Sequence, residues 1–147
     1  MNVKAILAAK SRNLGGDTVT IEPTADLAAA AKLLAARKIG AVVILGAGGR
    51  LSGILSERDI VRALAEKGAD ALALPVGQVM TRNVMTCADD EEVAALMERM
   101  TSGKFRHLPV VRDGKLVGVI SIGDVVKERV EAAERESEAL RDYIQTA

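Results

Sequence analysis

Gly53-Ile54-Leu55-Ser56-Glu57-Arg58-Asp59-Ile60-Val61 returns later in the chain as Gly118-Val119-Ile120-Ser121-Ile122-Gly123-Asp124-Val125-Val126. Each copy holds a glycine, two strand-forming apolar residues, a serine, two variable residues, an aspartate and two β-branched apolar residues. A serine followed three residues later by an aspartate, after a strand and before an apolar helical run, marks a helix start. Two such starts in one small chain point to a duplicated unit.

Working outward, each copy closes a longer unit. The first runs through a strand at Thr20-Ile21, a helix over Thr24 to Arg37, a strand over Ala41 to Leu45, a turn, a strand over Leu51 to Leu55 and a helix from Ser56. The second repeats this with Thr86-Cys87, Asp89 to Ser102, His107 to Val111, Leu116 to Ile120 and Ser121. Thr20 and Thr86 lie 66 positions apart, Ser56 and Ser121 lie 65 apart, so one residue was gained or lost in the turn. Leu27, Ala30, Ala31 and Leu34 match Val93, Leu96, Met97 and Met100 at i, i+3, i+4 and i+7, the stripe of a core-facing helix. Thr24 and Asp89 are the expected N-caps, and the acidic run 89–92 suits a helix's positive end. Asp113-Gly114 between apolar runs is a strong hairpin signal. Gly46-Ala47-Gly48-Gly49 takes the same place in the first unit. It is not a phosphate loop, because Arg50 to Ile54 continues as strand where a helix start is required.

The unit is therefore β-α-β-β-α. A unit of this size buries too little surface to stand alone, and two packed sheet to sheet would share one core. The expected fold is α+β, with pseudo-twofold symmetry and a helix at each terminus. The expected segments are 1–16 (N-terminal helix, through Val3, Ile6 and Leu7), 17–68 (first repeat), 69–82 (linker), 83–129 (second repeat) and 130–147 (helical extension). In that extension Val130, Ala133, Leu140 and Ile144 form a thin apolar stripe suited to a partner chain.

Composition narrows the function. The chain has 147 residues, 49% of them apolar, enough for a real core. Twenty basic and 20 acidic residues cancel, so no large field draws the chain to nucleic acid or an anionic membrane. No Trp, one Phe and one Tyr leave no base-stacking platform. No stretch approaches transmembrane length and the N-terminus lacks a signal-peptide layout. The single Cys87 cannot form an internal disulfide, which fits a cytoplasmic location. The single His107 excludes a histidine-rich metal site.

The doubled unit, ending in Gly-apolar-apolar-Ser-x-x-Asp and with Leu108-Pro109-Val110-Val111 opening the second hairpin, resembles the CBS domain (cystathionine β-synthase domain). Two in tandem resemble a Bateman module, over roughly Asp17 to Arg129. The resemblance implies a stand-alone, non-catalytic regulatory pair, a homodimer packed as a disc, and an unidentified regulated protein. It implies an adenosine-containing ligand (AMP, ADP, ATP, NAD(H) or S-adenosylmethionine) in clefts between the repeats. Carried over by residue, Asp59 and Asp124 match the ribose acceptor, and Ser56 and Ser121 the hydroxyl near ribose or phosphate. Thr20, Ile21, Thr86 and Cys87 match the adenine-pocket strand. Gly40, Ala41 and Val42, with Arg106, His107, Leu108 and Pro109, match the entry to the second strand near base and phosphate.

The chemistry is sound on its own terms. A carboxylate can accept from both ribose hydroxyls in charge-assisted bonds, and a helix N-terminus offers N–H groups to phosphate. The same Ser-x-x-Asp also serves as a plain helix cap, and the two roles are partly compatible. Arg58 opposes the helix dipole unless a phosphate lies near; the alternative is an ion pair with Glu57 or Asp59. Lys104, Arg106 and His107 form a second basic cluster for phosphate, or a charged loop. Cys87 has no cationic neighbour in its strand to make it reactive. Two rivals to a ligand sensor stand: an interaction scaffold with empty clefts, and a small nucleotide hydrolase.

Overall fold

The computed structural model of the chain describes residues 1–14 and 18–146, and the side chains of all of these but residues 11–14. Asp17, the expected start of the first repeat, lies outside the described residues. The order is α1 (Val3–Leu14), β1 (Thr20–Ile21), α2 (Leu27–Arg37), β2 (Ala41–Leu45), β3 (Leu51–Ser56), α3 (Glu57–Lys67), α4 (Val76–Val79), α5 (Val93–Gly103), β4 (His107–Arg112), β5 (Lys115–Ser121) and α6 (Ile122–Thr146). The architecture is α+β, two β-α-β-β-α repeats with a helix before and an extension after.

Both repeats share pairing and register. β1 runs parallel to β2 with Ile21 opposite Ile44, and β2 runs antiparallel to β3. In the second repeat Cys87 makes a single parallel bridge to Val110 of β4, 66 positions on in each case. Its N–H donates to the Pro109 carbonyl at 3.0 Å, and its own carbonyl accepts from Val111 N–H at 2.9 Å. Each hairpin slips at the same place, between Ile44 and Leu45 and between Val110 and Val111. The second hairpin turns on Asp113 and Gly114 at φ 52° and 77°, the left-handed pair its sequence predicts.

Two expected helix starts are corrected. α2 begins at Leu27, capped by Asp26, whose carboxylate accepts from Ala29 N–H at 2.8 Å; Thr24 is not the cap. α5 begins at Val93 with no side-chain cap, and Asp89 instead binds Arg112, accepting from its Nε at 2.8 Å. The cause is tertiary. Asp26 bridges Pro75 and Glu92 bridges Asn2, so another part of the chain holds each pre-helical segment extended.

Those bridges show how the molecule is tied together. Each repeat has its own core. Leu27, Leu34, Val42, Ile44 and Leu55 centre the first; Leu96, Met100, Leu108, Val110 and Ile120 centre the second. Val3 and Ile6 of α1, the segment preceding the first repeat, are buried in the second core. Ala71 and Val76, from the stretch read as linker, are buried in the first. The glycine that opens each quoted stretch makes this possible. A Cβ on Gly118 would lie 2.5 Å from a Leu7 methyl of α1. One on Gly53 would lie 2.6 Å from Met80 Sδ and 2.7 Å from the Thr81 carbonyl. A neighbouring segment packs against the strand at each point, and the absent side chain lets it come close.

Candidate functional site

Both Ser-x-x-Asp motifs form helix caps. Ser56 stands before α3 in extended backbone, its N–H donating to Asp59 Oδ2 at 2.9 Å, while Asp59 N–H donates to Ser56 Oγ at 3.3 Å. Ser121 N–H donates to Asp124 Oδ2 at 2.8 Å, and Asp124 N–H donates to Ser121 Oγ at 3.1 Å. A backbone carbonyl caps each helix as well: Gly40 accepts from Glu57 N–H and Arg106 from Ile122 N–H.

The remaining oxygens separate the two aspartates. Asp59 is only 5% exposed, and its Oδ1 accepts from Arg62 of the same helix at 3.2 Å. Asp124 keeps 21% of its side chain exposed and meets a cation from far along the chain. Lys10 Nζ of α1 donates to Asp124 Oδ2 and to the Val119 carbonyl, both at 2.8 Å. No described residue donates to Asp124 Oδ1.

Lys10 also lines a cleft of about 480 Å³ between the repeats. One wall is Thr18, Val19, Ile39 and Ala41 from the first repeat; the other is Val117, Gly118 and Val119 from β5, with Leu7 and Ala8 of α1 across the end. Lys4, Lys10, Arg37 and Arg112 supply four cations to the lining, and no carboxylate lines it. An apolar slot with cationic walls, one of whose lysines is paired with a carboxylate, can hold a flat apolar base, a diol and an anionic tail together.

His107 stands near that carboxylate. Its ring packs beside Gly40, with Nε2 3.4 Å from where a Gly40 Cβ would be, an ordinary van der Waals distance. Burial, then the nearby Lys10 and Arg106 charges, push its pKa below the ordinary value, against Asp124 and Glu57. Burial thus favours the uncharged ring. Burial, then the Glu91 charge, push the Cys87 thiol up to about 11 against Arg99, so it stays protonated. The Arg112 guanidinium holds the Asp89 carboxyl below the usual carboxylate range.

Of the residues carried over from the resemblance, Ala41 lines this cleft, and Asp124 is held by Lys10, which lines it too. Ser121 holds Asp124, and His107 is within its electrostatic reach. Val42, Cys87 and Leu108 turn their side chains into the two cores, and Pro109 is buried. Thr20 is exposed on β1 beside half-buried Ile21, and the Thr86 carbonyl accepts from Arg99. Arg58 is exposed, and neither Glu57 nor Asp59 pairs with it. Sequence reasoning missed Lys4, Lys10, Arg37 and Arg112. One signal was available: Lys10 follows Val3 and Leu7 at helical spacing, a lysine on the apolar face of α1.

Among the described residues, no three His, Cys, Asp or Glu side chains converge as a metal site, and no helix is long and apolar enough to cross a membrane.

A family model described as CBS domain matches residues 12–66 and again 76–131. A solved CBS-domain containing protein from Agrobacterium tumefaciens is 47% identical, covering 87% of this chain and 92% of its own, with a TM-score of 0.81. A CBS domain protein from Pyrobaculum aerophilum, complexed with AMP, is 28% identical over 93% of this chain and 99% of its own, TM-score 0.77. The CBS domain pair of protein MJ0100, in complex with 5′-methylthioadenosine and S-adenosylmethionine, is 28% identical over 91% and 98%, TM-score 0.75. Curated relatives, one of them labelled mitochondrial in Arabidopsis thaliana, are matched over 20% to 71% of their own length.

Proposed function

The chain belongs to the CBS domain family, and on that premise we propose that it is a non-catalytic regulatory module that binds an adenosine-containing ligand at the Asp124 cleft. The base lies between Val19, Ile39 and Ala41 on one side and Val117 to Val119 on the other. The ribose diol donates to Asp124, whose Oδ1 has no donor among the described residues. The phosphates meet Lys10, released from Asp124, with Lys4, Arg37 and Arg112. The observation that carries this reading is a cleft lined by cations and apolar groups, one of whose lysines, Lys10, holds the partly exposed Asp124 carboxylate. The AMP held by the Pyrobaculum relative and the adenosyl ligands held by the MJ0100 pair support the ligand class. The charge of the lining favours AMP, ADP, ATP or NAD(H) over S-adenosylmethionine, whose sulfonium would enter among like charges. Two copies form a homodimer that presents the ligand state to a regulated protein, in a reducing compartment that suits the one free thiol.

A second reading has its own support. Both aspartates already have partners, as they would in a scaffold whose clefts are structural. Thermal unfolding with AMP, ATP, NADH and S-adenosylmethionine separates the two. At about 100-fold over its dissociation constant a ligand adds about 2.7 kcal/mol, a shift of about 5–10 °C at this size. The expected result is a shift with a phosphorylated ligand that Asp124→Ala abolishes relative to its own baseline and Asp59→Ala retains. No shift with any adenosyl compound leaves the scaffold.

A further inference from the structure

α6 is 25 residues long, and only its beginning rests on the molecule. Val125 and Glu128 are buried and Ala132 is half-buried; every side chain from residue 133 to 146 is exposed. At about 100° per residue, a stripe on the face turned roughly 130° from that contact contains Val126, Val130, Ala133, Ser137, Leu140 and Ile144. Its large members are 43%, 51%, 61% and 66% exposed at Val126, Val130, Leu140 and Ile144, and no described residue covers them. Scattered exposed apolar residues need no explanation, but a continuous stripe does.

The spacing identifies the occupant. Steps of four, three, four, three and four residues are the 3.5-residue period of a coiled-coil seam, not the wider stripe of a helix lying on a globular core. With Val130, Ser137 and Ile144 at a and Val126, Ala133 and Leu140 at d, the flanking charges are Arg129 and Glu136 at g, with Lys127, Glu134 and Arg141 at e. In a parallel pair each g residue faces the e residue five positions on in the other helix. Arg129 then meets the partner's Glu134 and Glu136 meets the partner's Arg141, each twice by symmetry. A fully overlapped antiparallel pair does the reverse. It sets Glu134 against the partner's Glu134, Glu136 against the partner's Glu136, and Lys127 against the partner's Arg141.

We propose that the α6 helices of two copies of this chain pair in parallel as a short two-stranded coiled coil along residues 126–144, fixing how two modules sit in the dimer. The proposal deepens the homodimer reading and rests on it for stoichiometry. Asp124 opens the same helix two residues before the seam, so any change at the cleft enters the element that carries the pairing.

Sedimentation of the full chain tests it, beside Leu140→Glu/Ile144→Glu and Ile144→Cys variants. Both substituted positions are exposed, and circular dichroism verifies that the fold is kept. The wild type is expected to sediment as a dimer, with the double variant dimerising at least about tenfold more weakly, a loss of about 1.4 kcal/mol or more. Ile144→Cys is expected to cross-link under oxidised glutathione, Cys87 being buried. In the overlapped antiparallel pair those thiols would lie about 27 Å apart. A monomeric wild type overturns the homodimer reading and this proposal together. A dimer indifferent to the double variant overturns the helix pairing alone, and one that fails to cross-link at Ile144→Cys overturns its parallel alignment.

Discussion

His107 is the residue where the two repeats sense each other's charge. Its ring packs beside Gly40 and lies within the electrostatic reach of Lys10 and Arg106 and of Asp124 and Glu57. Burial is the largest influence and disfavours the imidazolium, so the folded pKa lies below the unfolded one, near 6.5. A depressed folded pKa means stability that is complete above about pH 6.5 and is lost as pH falls through the folded value. Denaturant unfolding at pH 7.5 and 5.5 should therefore show a weaker fold at the lower pH. His107→Gln, which keeps a polar side chain without the titration, should shrink that difference. An equal fall in the variant would mean that carboxylates alone are responsible. The same scale shows why the paired aspartates are unlike. Both motifs are legible as helix starts from four residues. That Asp59 meets its own Arg62 while Asp124 meets Lys10 depends on a contact 114 positions long.

At the scale of elements, the glycines heading the two quoted stretches are unequal. Both sit where a neighbouring segment packs against the strand, but different atoms make the approach. At Gly53 the added methyl of Gly53→Ala meets the Thr81 carbonyl at 2.7 Å, and that backbone is pinned by hydrogen bonds in both directions with Ile54. At Gly118 it meets only the end of the Leu7 side chain, which can turn away. Gly53→Ala should lower stability by about 1–3 kcal/mol, the range for overpacking a tight site, and Gly118→Ala by clearly less. Midpoints of denaturant unfolding would rank them, and the reverse order would contradict this account. Helix stripes, the Asp113-Gly114 turn and both Ser caps were legible because each depends on residues within a turn or two. The starts of α2 and α5 were not, because Pro75 and Asn2 reach across the fold to hold the preceding residues extended.

At the scale of the whole molecule, each repeat is completed by a segment that precedes the other. α1 gives Val3 and Ile6 to the second core, and the stretch between repeats gives Ala71 and Val76 to the first. Damage to α1 should therefore be felt in the second repeat. Ile6→Ala should cost about 2–5 kcal/mol, as for other large-to-small core changes. Hydrogen exchange should rise around Leu96 and Ile120 of the second core more than around Leu27 and Leu55 of the first. Greater loss of protection in the first repeat would contradict the exchange of segments. The exchange also brings Lys10 to the cleft, so the tie between repeats and the electrostatics of the candidate site have one origin.

The sequence by itself determined the doubled β-α-β-β-α unit, its hairpins and its two serine-capped helix starts, since these follow from periodicity and turn chemistry over a few residues; the family was legible as a resemblance carried by the doubled motif. Tertiary structure alone decided which core each flanking segment enters, which aspartate stays partly exposed beside a lysine of α1, and which cations line the cleft. Those outcomes depend on long-range packing between residues that no local pattern links, and the sequence carries them only as an apolar helix with a lysine on its inward face.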